Sequence, residues 1–276
     1  MSTQSVIVQI ALLLILAAVI FYVLVWPRWR VRRILSRPVP ESWLNIVRRR
    51  LPYYDRLPAG TQRQLWANIR MFLADKRFVG CAGQSVDDEI RVTIAAQACL
   101  LLLNRPTSCY RELRSILIYP STFVATRDER DELGLVSTTH TALLGESWDH
   151  GKVVLAWDSV ENGVLDLRDG YNVVLHEFAH QLDHESGTTN GAPILNSRGD
   201  YVDWSRVLAG EFALLQQAVE RHEPTVLDAY GATDPAEFFA VATETFFEKP
   251  AELKERHPTL YQELKDYYCV DPASWQ

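Results

Sequence analysis

His176-Glu177-Phe178-Ala179-His180 sets two imidazoles four residues apart with a carboxylate beside the first. On a helix, positions i and i+4 share one face, so both rings can reach one ion while Glu177 leans toward a water on it. These groups suit hydrolysis of an amide: a zinc ion on nitrogen ligands makes water acidic near neutral pH, and the carboxylate takes the proton. Histidine and glutamate have no packing reason to sit together on a mostly buried helix, and a metal supplies one by neutralising and ligating groups that are costly to bury.

The segment that must carry the motif reads as a helix of about four turns on its periodicity. Residues 171–175 are apolar on one side, Ala179 and Leu182 continue that stripe, and Gly170 and Gly187 are the expected limits. Upstream, residues 59–75 and 87–103 read as helices, and residues 114–119 and 152–157 as strands rich in β-branched residues. Downstream come a Gly/Asn/Pro-rich loop (187–199) and helices over 204–221, 235–247 and 260–268. The order predicts an α+β domain, mostly helical, with a small sheet beside the active-site helix. The strand at 152–157 is either an ordinary core strand or an edge along which an extended peptide binds.

Catalytic zinc takes three protein ligands, so a third must lie elsewhere. Asp234-Pro235-Ala236-Glu237 has the form of a helix start, with Asp234 at the N-cap, Pro235 at N1 and Glu237 at N3. Glu237 is thus either a capping residue or a ligand. Glu244, seven residues on, points the same way from an otherwise apolar helix, and spacing leaves the two open. Asp183 can orient a ligating imidazole or tie down the helix end. His184 reads as solvent-facing, and His140, His150, His222 and His257 show no ligand spacing and read as surface residues.

Val6 opens and Trp26 closes a run of 21 residues broken only by Gln9. At 1.5 Å per residue it can cross a hydrocarbon core of roughly 30 Å. The first five residues lack the positive charge of a signal peptide, no small-residue cleavage site follows, and the apolar run is too long for one, so a transmembrane helix is expected. Arg28, Arg30, Arg32, Arg33 and Arg37 follow directly. The positive-inside rule places them, and the domain behind them, in the cytoplasm. The expected organisation is a tail (1–5), a transmembrane helix (6–26), a basic juxtamembrane linker (27–40) punctuated by Pro27, Pro38 and Pro40, and one catalytic domain (41–276).

The formal charge of −7 conceals an asymmetry: residues 1–50 hold eight arginines against Glu41 alone, and removing that +7 leaves −14. Such a balance argues against direct nucleic-acid binding by the main domain. Cys81, Cys99, Cys109 and Cys269 form no C-x-x-C pair, which excludes a zinc knuckle or redox motif and suits a reducing compartment.

Several motifs together, His176–Asp183 (HEFAHQLD), Asp228-Ala229-Tyr230, DPAEFFA over 234–240 and Glu244-Thr245-Phe246-Phe247, resemble the Mlc titration factor A family of zinc-dependent peptidases. The likeness runs from about Leu51, through Arg77 and Ile118-Tyr119-Pro120, to near the C-terminus. The catalytic core of that family resembles the protease domain of anthrax lethal factor, a zincin of the gluzincin type. The resemblance implies a zincin-like fold, zinc held by His176, His180 and Glu237, Glu177 as general base, and Tyr230 as a donor to the tetrahedral intermediate. It thereby favours Glu237 over Glu244. It also implies a peptide or protein substrate and, as an alternative role, binding of a transcriptional regulator.

Overall fold

A computed structural model describes residues 3–105, 110–121, 123–130, 136–143, 145–148, 151–165 and 170–275. Cys109 and His150 lie outside them. The chain divides into two compact units, Met1–Pro40 and Glu41–Gln276.

In the first unit, α1 (Thr3–Ile20) passes through a π-helical turn (Phe21–Val25) into α2 (Trp26–Leu35). Pro27 does not end the helix. It falls where the π-helical turn passes into α2, and the helix runs on through it. The stretch Leu12–Leu35 is long and apolar enough to cross a membrane. It reaches past the 6–26 run expected from composition and takes the first arginines into the helix. There Trp26 and Trp29 lie 5.2 Å apart and the Arg33 guanidinium sits 5.1 Å over the Trp29 ring.

The second unit begins with α3 (Glu41–Arg50), α4 (Ala59–Asp75), β1 (Arg77–Gly80) and α5 (Asp88–Leu100). Asp87 caps α5 by accepting from the Ile90 N–H. Then come β2 (Ser115–Tyr119), β3 (Phe123–Arg130), β4 (Val136–Leu143), β5 (Gly145–Trp148), β6 (Lys152–Ala156), and α6 (Trp157–Leu165). Next are α7 (Val173–His184), α8 (Arg198–Glu220), α9 (Pro235–Glu248), α10 (Pro250–Arg256) and α11 (Pro258–Tyr268).

One sheet has the order β1-β2-β6-β5, with β1, β2 and β6 parallel and β5 antiparallel to β6. A second pairs β3 with β4 as an antiparallel ribbon. This topology decides between the two readings left open for the strand at 152–157: β6, hydrogen-bonded to β2 on one side and β5 on the other, is an interior strand and offers no edge to a peptide. The outermost strand on that side is β5, and α7 packs close to it. The short β1 escaped the sequence reading because four residues, two of them apolar, give no measurable alternation, and its partner lies almost forty residues away.

The domain core is aromatic on both sides of α7 and α9. Phe178 meets Phe72 of α4 at 5.6 Å and Tyr110 at 4.8 Å between ring centroids. Trp204 of α8 meets Phe239 of α9 at 5.6 Å and Tyr267 of α11 at 5.1 Å. Near the C-terminus, Asp271 accepts from Tyr261 Oη at 2.5 Å and Lys265 Nζ at 2.7 Å.

Candidate metal centre

Asn172 starts α7 as its N-cap, its side-chain oxygen accepting from Val174 N–H at 3.1 Å and Leu175 N–H at 3.0 Å. Ten of the twelve residues of α7 are buried, Glu177 at 3 % exposure and His180 at 8 % among them. The apolar stripe read from the sequence faces the aromatic core, which turns His176 and His180 toward α9. There Asp234 caps the helix by accepting from Ala236 N–H at 2.8 Å and Glu237 N–H at 3.0 Å. Pro235 follows in the first turn, so Glu237 leaves α9 from its first turn with its side chain free to reach α7.

His176, His180 and Glu237 can each turn one ligand atom into a space within 4.8 Å of the others. His176 Nε2 lies 3.0 Å from Glu237 Oε2, His180 Nε2 lies 3.4 Å from the same oxygen, and the two Nε2 atoms are 3.1 Å apart. Ligands at 2.0–2.1 Å from an ion in tetrahedral geometry are separated by about 3.3 Å, so the three atoms fit one zinc ion. The donor set, two imidazoles and one carboxylate, is of the kind that keeps a fourth position for water.

Electrostatics agree with a cation in this place. Burial opposes charge on His176, yet hydrogen bonds to Glu237 and Glu244 carry its imidazolium up to about 10. Burial likewise opposes ionisation of Glu237, but the hydrogen bonds of His176 and His180 hold its carboxyl well below the usual carboxylate range. Three carboxylates, Glu177, Glu237 and Glu244, act on the first imidazole.

Glu244, which spacing left open as an alternative, also faces His176. Glu244 faces the other nitrogen of the same ring, with Oε1 at 2.8 Å from His176 Nδ1. It is therefore outside the cluster of three.

Tyr230 sits in a 3-10 turn, Ala229–Ala232, that leads into α9. Its ring centroid is 6.0 Å from that of His176, and the residue is 55 % exposed. Burial of its hydroxyl side, then the charges of Glu237 and Glu177, push the phenol up to about 12, so it keeps its proton at neutral pH and can donate. The turn lies close against α8 and α9 because residue 231 is glycine: a Cβ there would stand 3.2 Å from both Leu215 and Val241.

Asp183 is fully buried and accepts from the Gly191 N–H at 2.6 Å, so it ties the following loop to α7. Gly191 is fixed from three sides. Trp204 Nε1 donates to its carbonyl at 2.8 Å, and a Cβ on it would lie 2.3 Å from the Pro235 carbonyl oxygen. Sequence reading missed Asn172 and this loop anchor; an Asn directly before an apolar helical run was the available signal for the first. His184 is half-buried and meets Thr189 Oγ1 at 3.3 Å, and His222 is exposed. His257 departs from the surface role expected of it, being half-buried with Nδ1 2.7 Å from Glu211. His140 lies on β4.

Comparison with known proteins gives a consistent set of relatives. The family described as glucose-regulated metallo-peptidase M90 matches residues 26–269. An uncharacterized protein of Synechocystis sp. is 43 % identical over 94 % of this chain and 96 % of its own length. Mlc titration factor A of Salmonella arizonae is 32 % identical over 90 % of this chain and 97 % of its own length, and that of Salmonella gallinarum is 32 % identical over 90 % and 92 %.

Proposed function

Because the chain belongs to the glucose-regulated metallo-peptidase M90 family, we propose that it is a zinc-dependent peptidase of the gluzincin type, anchored in the cytoplasmic membrane by its first helix. The observation that carries this reading is the separation of 3.0–3.4 Å among one nitrogen of His176, one of His180 and one oxygen of Glu237, with Glu177 buried on the same helix. A zincin-like fold is part of the proposal, supported by a site helix lying beside a mixed sheet whose outer strand, β5, is antiparallel.

His176, His180 and Glu237 would hold the zinc ion, which supplies a Lewis acid that makes water acidic near neutral pH and polarises a carbonyl. Glu177 accepts the proton of the attacking water and passes it to the leaving amine. Tyr230 donates a hydrogen bond to the oxygen that becomes negative as the carbonyl turns tetrahedral, a contribution of about 2.7–4 kcal/mol for one such donor. Burial of Glu177 keeps its carboxylate out of bulk water.

The arginines that follow the span favour a cytoplasmic catalytic unit. A second reading is favoured by the similarity to proteins named Mlc titration factor A: the domain binds a transcriptional regulator at the membrane and hydrolyses peptides weakly or not at all. One variant separates the two. Glu177→Gln should retain zinc while hydrolysis of unstructured peptides falls by about 10²–10⁴-fold, the usual worth of a general base. Undiminished hydrolysis in zinc-loaded Glu177→Gln would overturn the catalytic assignment, and absence of chelator-sensitive hydrolysis in the wild type would favour the binding role.

A further inference from the structure

Glu244 is 2 % exposed and lies two turns beyond Glu237 on α9, inside a run of buried apolar residues. A carboxylate in so buried a place is an expensive residue to keep unless it has partners. We propose that Glu244 is a positioning residue that fixes His176 by its Nδ1, turns Nε2 toward the metal, and fastens the same imidazole to the first turn of its own helix. The proposal rests on the metal-centre reading given above.

An imidazole can give an ion only the nitrogen that carries no proton, so the partner of the other nitrogen decides which one is offered. His176 Nδ1 has Glu244 Oε1 at 2.8 Å, which places the N–H on that side and leaves Nε2 for Glu237 and the ion. The second oxygen of Glu244 accepts the backbone N–H of Asn172, the N-cap of α7. One carboxylate thus holds both the ring and the backbone where its helix begins. Asn172 completes the tie through its side chain, whose oxygen caps α7 and whose Nδ2 donates to Glu248 Oε1 at 2.9 Å.

Seven residues of helix separate Glu237 from Glu244 by about 10.5 Å along the axis. The His176 ring sits between the two carboxylates, with Glu237 meeting one of its nitrogens and Glu244 the other. A single face of α9 therefore supplies the ligand on one side of the ring and the orienting group on the other. His180 has no such partner among the described residues, where its Nδ1 is buried without a hydrogen bond. The support is specific to the first imidazole.

The test uses the full chain in detergent, with Zn²⁺ affinity measured by competition against a chromophoric chelator and ligand geometry by the visible spectrum of the Co²⁺-loaded protein. Glu244→Gln should weaken Zn²⁺ by 10–100-fold, the usual effect of removing such a partner, and change the Co²⁺ bands. Glu248→Gln, which removes charge beside the Asn172 side chain and leaves both contacts of Glu244 in place, should leave Zn²⁺ affinity within about threefold and the Co²⁺ bands unchanged. If Glu244→Gln does not fold, Glu244→Asp serves, since it keeps the charge but shortens the reach and should also weaken Zn²⁺. Wild-type affinity and bands in the folded Glu244 variant, or equal losses from Glu248→Gln, would overturn the proposal while leaving the metal centre intact. Equal Zn²⁺ affinity in wild type and Glu237→Gln would instead remove the metal-centre reading beneath it.

Discussion

Along the first helix Leu13 and Leu14 are 65 % and 66 % exposed, while on α7 the charged Glu177 and the imidazole of His180 are 3 % and 8 % exposed. The apolar residues of one segment face outward and the polar residues of the other face inward, the reverse of what residue type alone predicts. At α7 several polar groups have a partner: His176 lies between Glu237 and Glu244, Asp183 takes a loop N–H, and Asn172 caps the helix. Along the first helix from Leu12 onward the exposed residues are mostly apolar, a surface that hydrocarbon would satisfy. The lesson is that burial along α7 follows partners more than residue type.

The sharpest way to break this contrast is to make the same kind of truncation in both segments. Phe178→Ala removes a fully buried ring between Phe72 and Tyr110 and should cost about 3–5 kcal/mol in thermal or urea unfolding of the second unit. Leu14→Ala should leave that unfolding transition where it is; a matching loss would mean that the first helix belongs to the core of the domain. Next in size is charge placed in the apolar span. Leu14→Arg should disfavour membrane insertion by about 2.5–3.5 kcal/mol, read as the membrane-bound fraction of the full chain, without altering zinc affinity. Undiminished membrane association of that variant would sink the anchor.

The smallest effect lies at the far end of the second unit, where a polar group is paired at the surface instead of buried. Burial opposes ionisation of Asp271, but Lys265 and Tyr261 hold its carboxyl below the usual range. A lowered folded-state value means stability that is present above the unfolded value of about 3.9 and lost as pH falls through the folded one. Asp271→Asn should therefore cost less than about 1 kcal/mol at pH 7, with the difference from wild type closing below about pH 4. A gap in unfolding midpoint that stays constant down to pH 2 would exclude the ionised pair as its source.

Local signals carried much of this molecule into view. Residues 59–75 form the helix their periodicity predicts, Asp234 and Pro235 start α9, and the two histidines share a face of α7. Where the sequence reading fell short, the determinants were distant or ambiguous. The start of α8 at Arg198 rests on a capping box between Ser197 and Asp200, six residues ahead of the first large apolar side chain of the expected helix. Pro27 looked like punctuation, yet the helix runs on through it. The order of strands depends on pairings such as Arg77 with Ser115, which no local pattern encodes. Glu237 and Glu244 could not be separated by spacing because both do face His176, and the difference lies in which ring nitrogen each one meets.

Gly191 shows how far the site extends into positions that look dispensable. It touches neither imidazole, and it lies in a loop between two helices, where variation is ordinarily tolerated. Its backbone nevertheless approaches Pro235 so closely that any β-carbon would have to displace the carbonyl two residues before Glu237. In a mutational library this position would score as intolerant despite its distance from the chemistry, and an engineer seeking to retune the loop would be shifting the start of the helix that carries Glu237 without intending to.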